Sequence, residues 1–247
     1  MAKARGLECI AITDHDTFDG VLRAKARADE VGLKYVIGAE LSAQTDRKVH
    51  ILVYNVDMSS DEFKQKIAHV AELRNQANLK IVAKLAEHGI EIDLDEMKKN
   101  CASVGRGSIA REIVKKGYAK SSSEVFDKYL GTEGNCYVQS ERLTPIEVVQ
   151  LALRFGGIAV LAHPKKLNMT PDEFEQFLQP LVKAGLAGIE ANYFTHNIAE
   201  RNYYGRIAKK YKLITTGGSD FHDYQHGVDL GAKSFSPNGY TRTILGI

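Results

Sequence analysis

The chain has 247 residues, 44% hydrophobic and 26% charged, and 33 Lys+Arg against 31 Asp+Glu leave a formal net charge of +2. That balance suits a soluble globular protein of one large domain or two modest ones, and it carries no signature of long duplex nucleic acid as a partner. No apolar run reaches the ~18–20 residues of a membrane span, no signal-peptide core follows Met1, and Cys9, Cys101 and Cys136 are too scattered for a disulfide framework or a thiolate zinc site, which together point to a reducing cytoplasm.

In chain order, Leu7 to Ile12 reads as a buried strand, and Val21 to Val31 as a helix stopped at Gly32. A strand from Tyr35 to Glu40-Leu41 meets a polar turn, Thr45 to Lys48, and then the apolar run Val49 to Tyr54; so tight a link predicts antiparallel pairing. From Asp61 the period changes: Phe63, Ile67, Val70, Leu73, Ala77, Ile81 and Leu85 mark one face of a helix closed by Gly89. Asp93-x-x-Glu96 resembles a capping box, Ser108 to Lys116 ends at Gly117, and Ser123-Glu124 could open a further helix. Residues 61–140 therefore read as a helical insertion, between barrel segments 1–60 and 141–247.

Strand–helix alternation then resumes. Thr144-Pro145-Ile146-Glu147 and Thr170-Pro171-Asp172-Glu173 cap helices, with Pro at the first helical position. Ile158 to Leu161, Ala187 to Glu190 and Leu213 to Thr216 are short apolar runs of the parallel-sheet kind. The expected class is α/β and barrel-like.

The histidines and carboxylates fall at strand ends. His15 follows the first strand, Glu40 ends the second, His50 starts the third, His163 ends the fourth, and Asp220 and His222 follow the last. In α/β barrels the site is built on that rim. Imidazole with carboxylate suits Zn, Mn or Fe better than Ca or Mg. Six ligands exceed the need of one catalytic ion, so two or three clustered ions are expected, with Glu40 bridging a pair. Such a cluster supports hydrolysis by metal-hydroxide attack. His69, His88 and His226 carry no such context.

Ala11-Ile12-Thr13-Asp14-His15-Asp16-Thr17, Gly38-Ala39-Glu40-Leu41, Val49-His50-Ile51-Leu52, Leu161-Ala162-His163-Pro164 and Gly217-Gly218-Ser219-Asp220-Phe221-His222 resemble the PHP (polymerase and histidinol phosphatase) family. Within it, the likeness is to bacterial phosphoesterases acting on nucleoside 3′,5′-bisphosphates and short RNA ends. It runs from residue 4 to about residue 232. The resemblance implies a distorted (β/α)7 TIM-like barrel with a trinuclear site, often loaded with Mn. By that pattern Glu40 bridges two ions, His50 and His163 bind one of these, Asp220 binds the other, and His15 and His222 bind the third.

The family's first strand, with His-x-His and a following Ser-Asp-Gly, has no counterpart here. The expectation is that Met1 is internal to the gene product, through a misplaced start or a fragment, and that the first strand is missing. Mass spectrometry of the native N-terminus would decide.

Gly105-Arg106-Gly107-Ser108 precedes a predicted helix whose free N–H groups can hold a phosphate with Arg106, and Arg111 lies one turn on. Asn192-Tyr193-Phe194-Thr195-His196 resembles the family segment near a second phosphate. A bisphosphate would then set one phosphate on the metals and the other on Arg106 and His196. The expected catalytic groups are Asp220 and Arg106, and the substrate is a small phosphorylated nucleotide or short RNA. Two rivals are a non-catalytic phosphate- or nucleotide-binding module and an amidohydrolase-type C–N hydrolase. The oligomeric state is left open.

Overall fold

The computed structural model describes residues 1–100, 103–222, 228–231 and 235–247; Cys101 and His226 lie outside the described residues. In chain order the elements are β1 (Cys9–Ile12), α1 (Val21–Glu30), β2 (Lys34–Ala43), β3 (Val49–Tyr54), α2 (Asp61–Glu87), α3 (Leu94–Asn100), α4 (Arg106–Lys115) and α5 (Ser122–Val125). They continue with α6 (Pro145–Arg154), β4 (Ile158–Leu161), α7 (Pro171–Ala184), β5 (Gly188–Tyr193), α8 (Ile198–Lys210), β6 (Ile214–Gly218) and α9 (Gly239–Leu245). The chain divides into two compact units, Met1–Phe63 with Leu143–Ile247, and Lys64–Arg142. No helix among the described residues is long and apolar enough to cross a membrane.

The first unit is an α/β fold on a mixed six-stranded sheet, ordered β1-β2-β3-β4-β5-β6. β1 pairs parallel with β2, and β4, β5 and β6 pair parallel in turn, while β3 runs antiparallel to both of its neighbours. The run Ile158 to Leu161 thus does not meet a parallel partner on both sides. The hairpin reverses β3, and β4 restores the direction of β2. Five strands therefore point one way, and the start of β3 lies at the rim where the others end.

The sheet curls. β1 and β6 stand at opposite ends of an order that would span roughly 24 Å if flat, at about 4.8 Å per strand spacing. Yet the ring of His15, just after β1, lies 6.3 Å from that of His222, just after β6. Among the described residues β1 and β6 do not pair, so the architecture is a curled half-barrel rather than a closed one.

Every residue of β3 is buried, as a strand covered on both faces requires. Ile51, Val53, Val160 and Leu161 are almost wholly withdrawn from solvent, each contributing about 1.5–3 kcal/mol of apolar burial. His50 and Glu40 sit within the same layer. Polar groups there are costly unless partnered, so their mutual contacts are a condition of the fold.

Helix starts follow the capping chemistry expected of them. Thr144, Thr170 and Asn197 each accept from the backbone N–H three residues on, and Glu147, Glu173 and Glu200 reach back to the cap N–H. In the second unit, Ile81, Leu85, Ile109, Ile113, Val125, Leu130 and Cys136 form one apolar cluster.

Candidate metal centre

The sheet register sets the site. β1 and β2 align Ile12 with Ile37, and the same offset carried past the strand end pairs His15 with Glu40. Across the hairpin Ser42 faces His50, so Glu40, two residues back along β2, shares a face with His50 as its diagonal neighbour. Glu40 is inside β2 rather than at its end, because Ser42 and Ala43 pair with His50 and Val49 and prolong the strand. His163 leaves β4 after Ala162, whose N–H donates to the His50 carbonyl at 3.1 Å.

Three candidate ligand atoms converge there. Glu40 Oε1 is 2.5 Å from His50 Nδ1 and 2.8 Å from His163 Nε2, and the two nitrogens are 3.2 Å apart. His15 Nδ1 lies 3.9 Å from Glu40 Oε2. His15, Glu40 and His50 each offer a donor atom within 4.8 Å of the others, which can hold a metal ion.

The rings form an arc: His15 to His50 is 4.9 Å between centroids, His50 to His163 is 5.1 Å, and His163 to Tyr193 is 5.6 Å. Asp220 joins at the far end, where its Oδ2 accepts from the Tyr193 hydroxyl at 2.8 Å and from Lys166 Nζ at 3.1 Å. His222 Nδ1 donates to the Asp220 carbonyl at 2.9 Å.

The electrostatics favour the ligand forms. Burial opposes the Glu40 charge, but His50, His15 and the hydrogen bonds from His163 and His50 outweigh it and hold the carboxyl well below 4.5. Burial pulls His50 down to about 4 against the pull of Glu40, so its imidazole is neutral near pH 7. Burial also works against Asp220, where Lys166 and the Tyr193 hydroxyl prevail and lower it. Ionised carboxylate and neutral imidazole are the states that bind a divalent ion. The donor set therefore fits a metal of the Mn, Fe or Zn kind. His163 Nδ1 is buried with no hydrogen-bond partner among the described residues, so the polar hold on that ring comes through Nε2.

Three of the six non-glycine residues with positive φ among the described residues belong to this rim. Asp16, His163 and Asp220 have φ of 56°, 27° and 49°. Left-handed non-glycine residues cost about 1–3 kcal/mol each and persist where their surroundings over-determine them. For Asp16 the restraints are visible: its N–H donates to the Glu40 carbonyl at 3.0 Å, and its Oδ1 accepts from Ser42 N–H at 2.7 Å.

Arg106, Ser108 and Arg111 belong to the second unit. Arg106 Nη1 donates to the Leu130 carbonyl at 3.1 Å, with its guanidinium 5.2 Å from the Tyr137 ring centre. Ser108 Oγ accepts from Gly105 N–H at 2.8 Å and donates to the Gly105 carbonyl at 2.9 Å, so its hydroxyl is engaged in starting α4. His196 in the first unit is wholly buried. Its Nδ1 donates to the Ala191 carbonyl at 2.9 Å, and its ring lies 5.5 Å from Tyr193 and 5.0 Å from Tyr204. Its Nε2 is buried with no hydrogen-bond partner among the described residues.

A family model for the PHP domain matches residues 1–139, more than half of the chain. The chain belongs to the PHP family. A 5′-3′ exoribonuclease of Haemophilus influenzae is 31% identical over 235 residues, 93% of this chain and 85% of that protein. A phosphoribosyl 1,2-cyclic phosphate 1,2-diphosphodiesterase of Eggerthella lenta is 29% identical over 90% of this chain and 85% of its own. A 3′,5′-nucleoside bisphosphate phosphatase of Chromobacterium violaceum is 29% identical over 93% and 82%. A solved structure from Bifidobacterium adolescentis, provisionally described as a metal-dependent phosphoesterase, superposes with a TM-score of 0.86 at 27% identity, over 99% of this chain and 87% of that one.

Around this PHP centre the structure adds residues that strand-end reasoning passed over. Glu190 on β5 is buried, and its Oε2 accepts the His163 N–H at 2.8 Å. Burial, with Glu40 and Asp220 nearby, pushes its carboxyl up to about 8. Lys166 and Asp16 are the others. The available signal for Glu190 was a lone carboxylate inside the apolar run Ala187 to Ala191.

Proposed function

We propose that the chain is a metal-dependent phosphoesterase hydrolysing a phosphate monoester or the 5′ end of a short oligoribonucleotide, with a nucleoside 3′,5′-bisphosphate as the favoured substrate. The observation that carries this reading is the convergence of Glu40 Oε1, His50 Nδ1 and His163 Nε2 within 3.2 Å in a PHP chain. The relatives named as exoribonuclease and bisphosphate phosphatase support the substrate class.

In this reading Glu40, His50 and His163, together with Asp220, His15 and His222, would hold divalent ions; Mn is the favoured metal, with Zn or Fe as substitutes. The ions supply activation of water near neutral pH and charge neutralisation at phosphorus. The protein's own groups do the rest. The Glu40 and Asp220 carboxylates stay ionised, the buried imidazoles keep their lone pairs inward, and Tyr193 and Lys166 fix the Asp220 carboxylate for a role in proton transfer. Within the second unit Arg106, with Arg111 one turn on, is assigned to holding a phosphate and Ser108 to the shape of that helix start; in the first, His196 is assigned to support behind the β5 loop. The six-stranded sheet is read as the core of a distorted (β/α)7 TIM-like barrel over residues 1–60 and 141–247, with 61–140 as the insertion.

Mn²⁺-dependent phosphate release from adenosine 3′,5′-bisphosphate tests the proposal, with Asp220→Asn as control. Release by the native chain, reduced at least ~100-fold in the control, is expected from loss of a group that holds metal. Nucleotide binding without release would instead support the binding-module reading, and ammonia from amide substrates the amidohydrolase one.

A further inference from the structure

β5 supplies none of the six candidate ligands, yet it carries the buried carboxylate of Glu190. Its position follows from the sheet. β4 and β5 pair parallel only through Val160 with Gly188 and Leu161 with Ile189. The β4 chain then leaves the ladder and turns at His163 into the left-handed region, φ 27° and ψ 59°. There the His163 N–H has lost its strand partner, and Glu190 Oε2 accepts it at 2.8 Å. On the other side, a Cβ added at Gly218 of β6 would stand 3.1 Å from Glu190 Oε1, so glycine leaves the carboxylate its room.

We propose that Glu190 is a positioning residue: by accepting the His163 N–H it holds the strained His163 backbone, keeps Nε2 against Glu40, and so sets the affinity of the centre for its ion. This rests on the reading of His163 as a metal ligand. Removing partners that orient a ligand typically weakens metal binding by about 10–100-fold. The effect belongs to the acceptor oxygen at the right reach, not to the charge.

Reach and charge separate in two conservative variants. Glu190→Gln keeps a carbonyl oxygen at the same reach and cannot ionise; Glu190→Asp can still ionise and withdraws the oxygen by one methylene. The full chain, stripped of metal, is titrated with Mn²⁺ by calorimetry, and thermal melts of the stripped variants check folding. Glu190→Gln is expected within about 3-fold of the native affinity, and Glu190→Asp about 10–100-fold weaker. Equal affinities in both variants, or the reverse order, would overturn the proposal and point to Glu190 binding the ion or acting through its charge. A native chain that takes up no Mn²⁺ would remove the metal reading itself, and this proposal with it; loss of affinity in His163→Ala shows that reading intact.

Discussion

His50 is a residue whose protonation the fold resists. Burial lowers it to about 4 from an ordinary value of 6.5, so the unfolded chain binds a proton there between those values that the folded chain does not. A depressed histidine contributes stability that is full above about 6.5 and is lost as pH falls toward 4. The metal-free chain is therefore expected to lose melting temperature steadily from pH 6.5 to 4, and His50→Gln, which cannot take the proton, to flatten that slope. A slope unchanged in the variant would show that His50 is not its source. The lowered carboxyl of Glu40 acts in a separate window, below 4.5. At this scale the sequence was legible where a residue's type and strand position were enough, as for His15, Glu40, His50 and His163, which the structure brings together. It was not legible where the role depends on a distant partner. Glu190 meets His163 across 27 residues, and Lys166 meets Asp220 across 54. His196 was legible only as part of a motif; the structure adds that its ring packs against Tyr193 and Tyr204.

Elements in this chain start with one recurring device. Thr144 with Glu147, Thr170 with Glu173, and Asn197 with Glu200 each satisfy two helix-end donors reciprocally. Thr170→Ala is expected to destabilise the chain by about 1 kcal/mol in urea unfolding, as cap removal generally does. The carboxyls of Glu147 and Glu173 are lowered chiefly by the cap N–H groups they accept. Their contribution is present above 4.5 and fades as pH falls through the lowered values. Glu147→Gln with Glu173→Gln should thus weaken the chain at pH 7 and be near neutral at pH 3; an equal penalty at both would deny the charged bond. Strand β3 was legible to the residue because only His50 interrupts its apolar run. β2 was read short because Gly38 and Ser42 interrupt the apolar pattern, although pairing buries Ser42. α8 went unnamed because its buried set, Tyr204, Ile207 and Ala208, is sparse, although Asn197-x-x-Glu200 carried the same cap signature as its neighbours.

Across the whole molecule, all six metal candidates lie in the first unit and the apolar cluster around Leu85 and Ile113 in the second. A ligand that binds only the folded state stabilises it by about 2.7 kcal/mol at 100 times its Kd, and about 1 kcal/mol shifts a chain of this size by ~2–4 °C. Saturating Mn²⁺ is expected to raise the main melting transition by roughly 5–10 °C. Where two transitions are resolved by calorimetry, only one should move. A shift that survives Glu40→Gln would place the ion elsewhere. The α/β class was readable from alternating runs, whereas the curl of the sheet was not, because it emerges only from the approach of His15 to His222.

The hairpin that joins Glu40 to His50 has a consequence in time. Those two donors are ten residues apart, within a unit that closes in about 1–10 μs once free to do so. His163 follows His50 by 113 residues, a delay of roughly 6–23 s at 5–20 residues per second of synthesis. For that interval a nascent chain carries His15, Glu40 and His50 without His163. The candidate set of six is complete only once β4 and β6, which precede His163, Asp220 and His222, have been made.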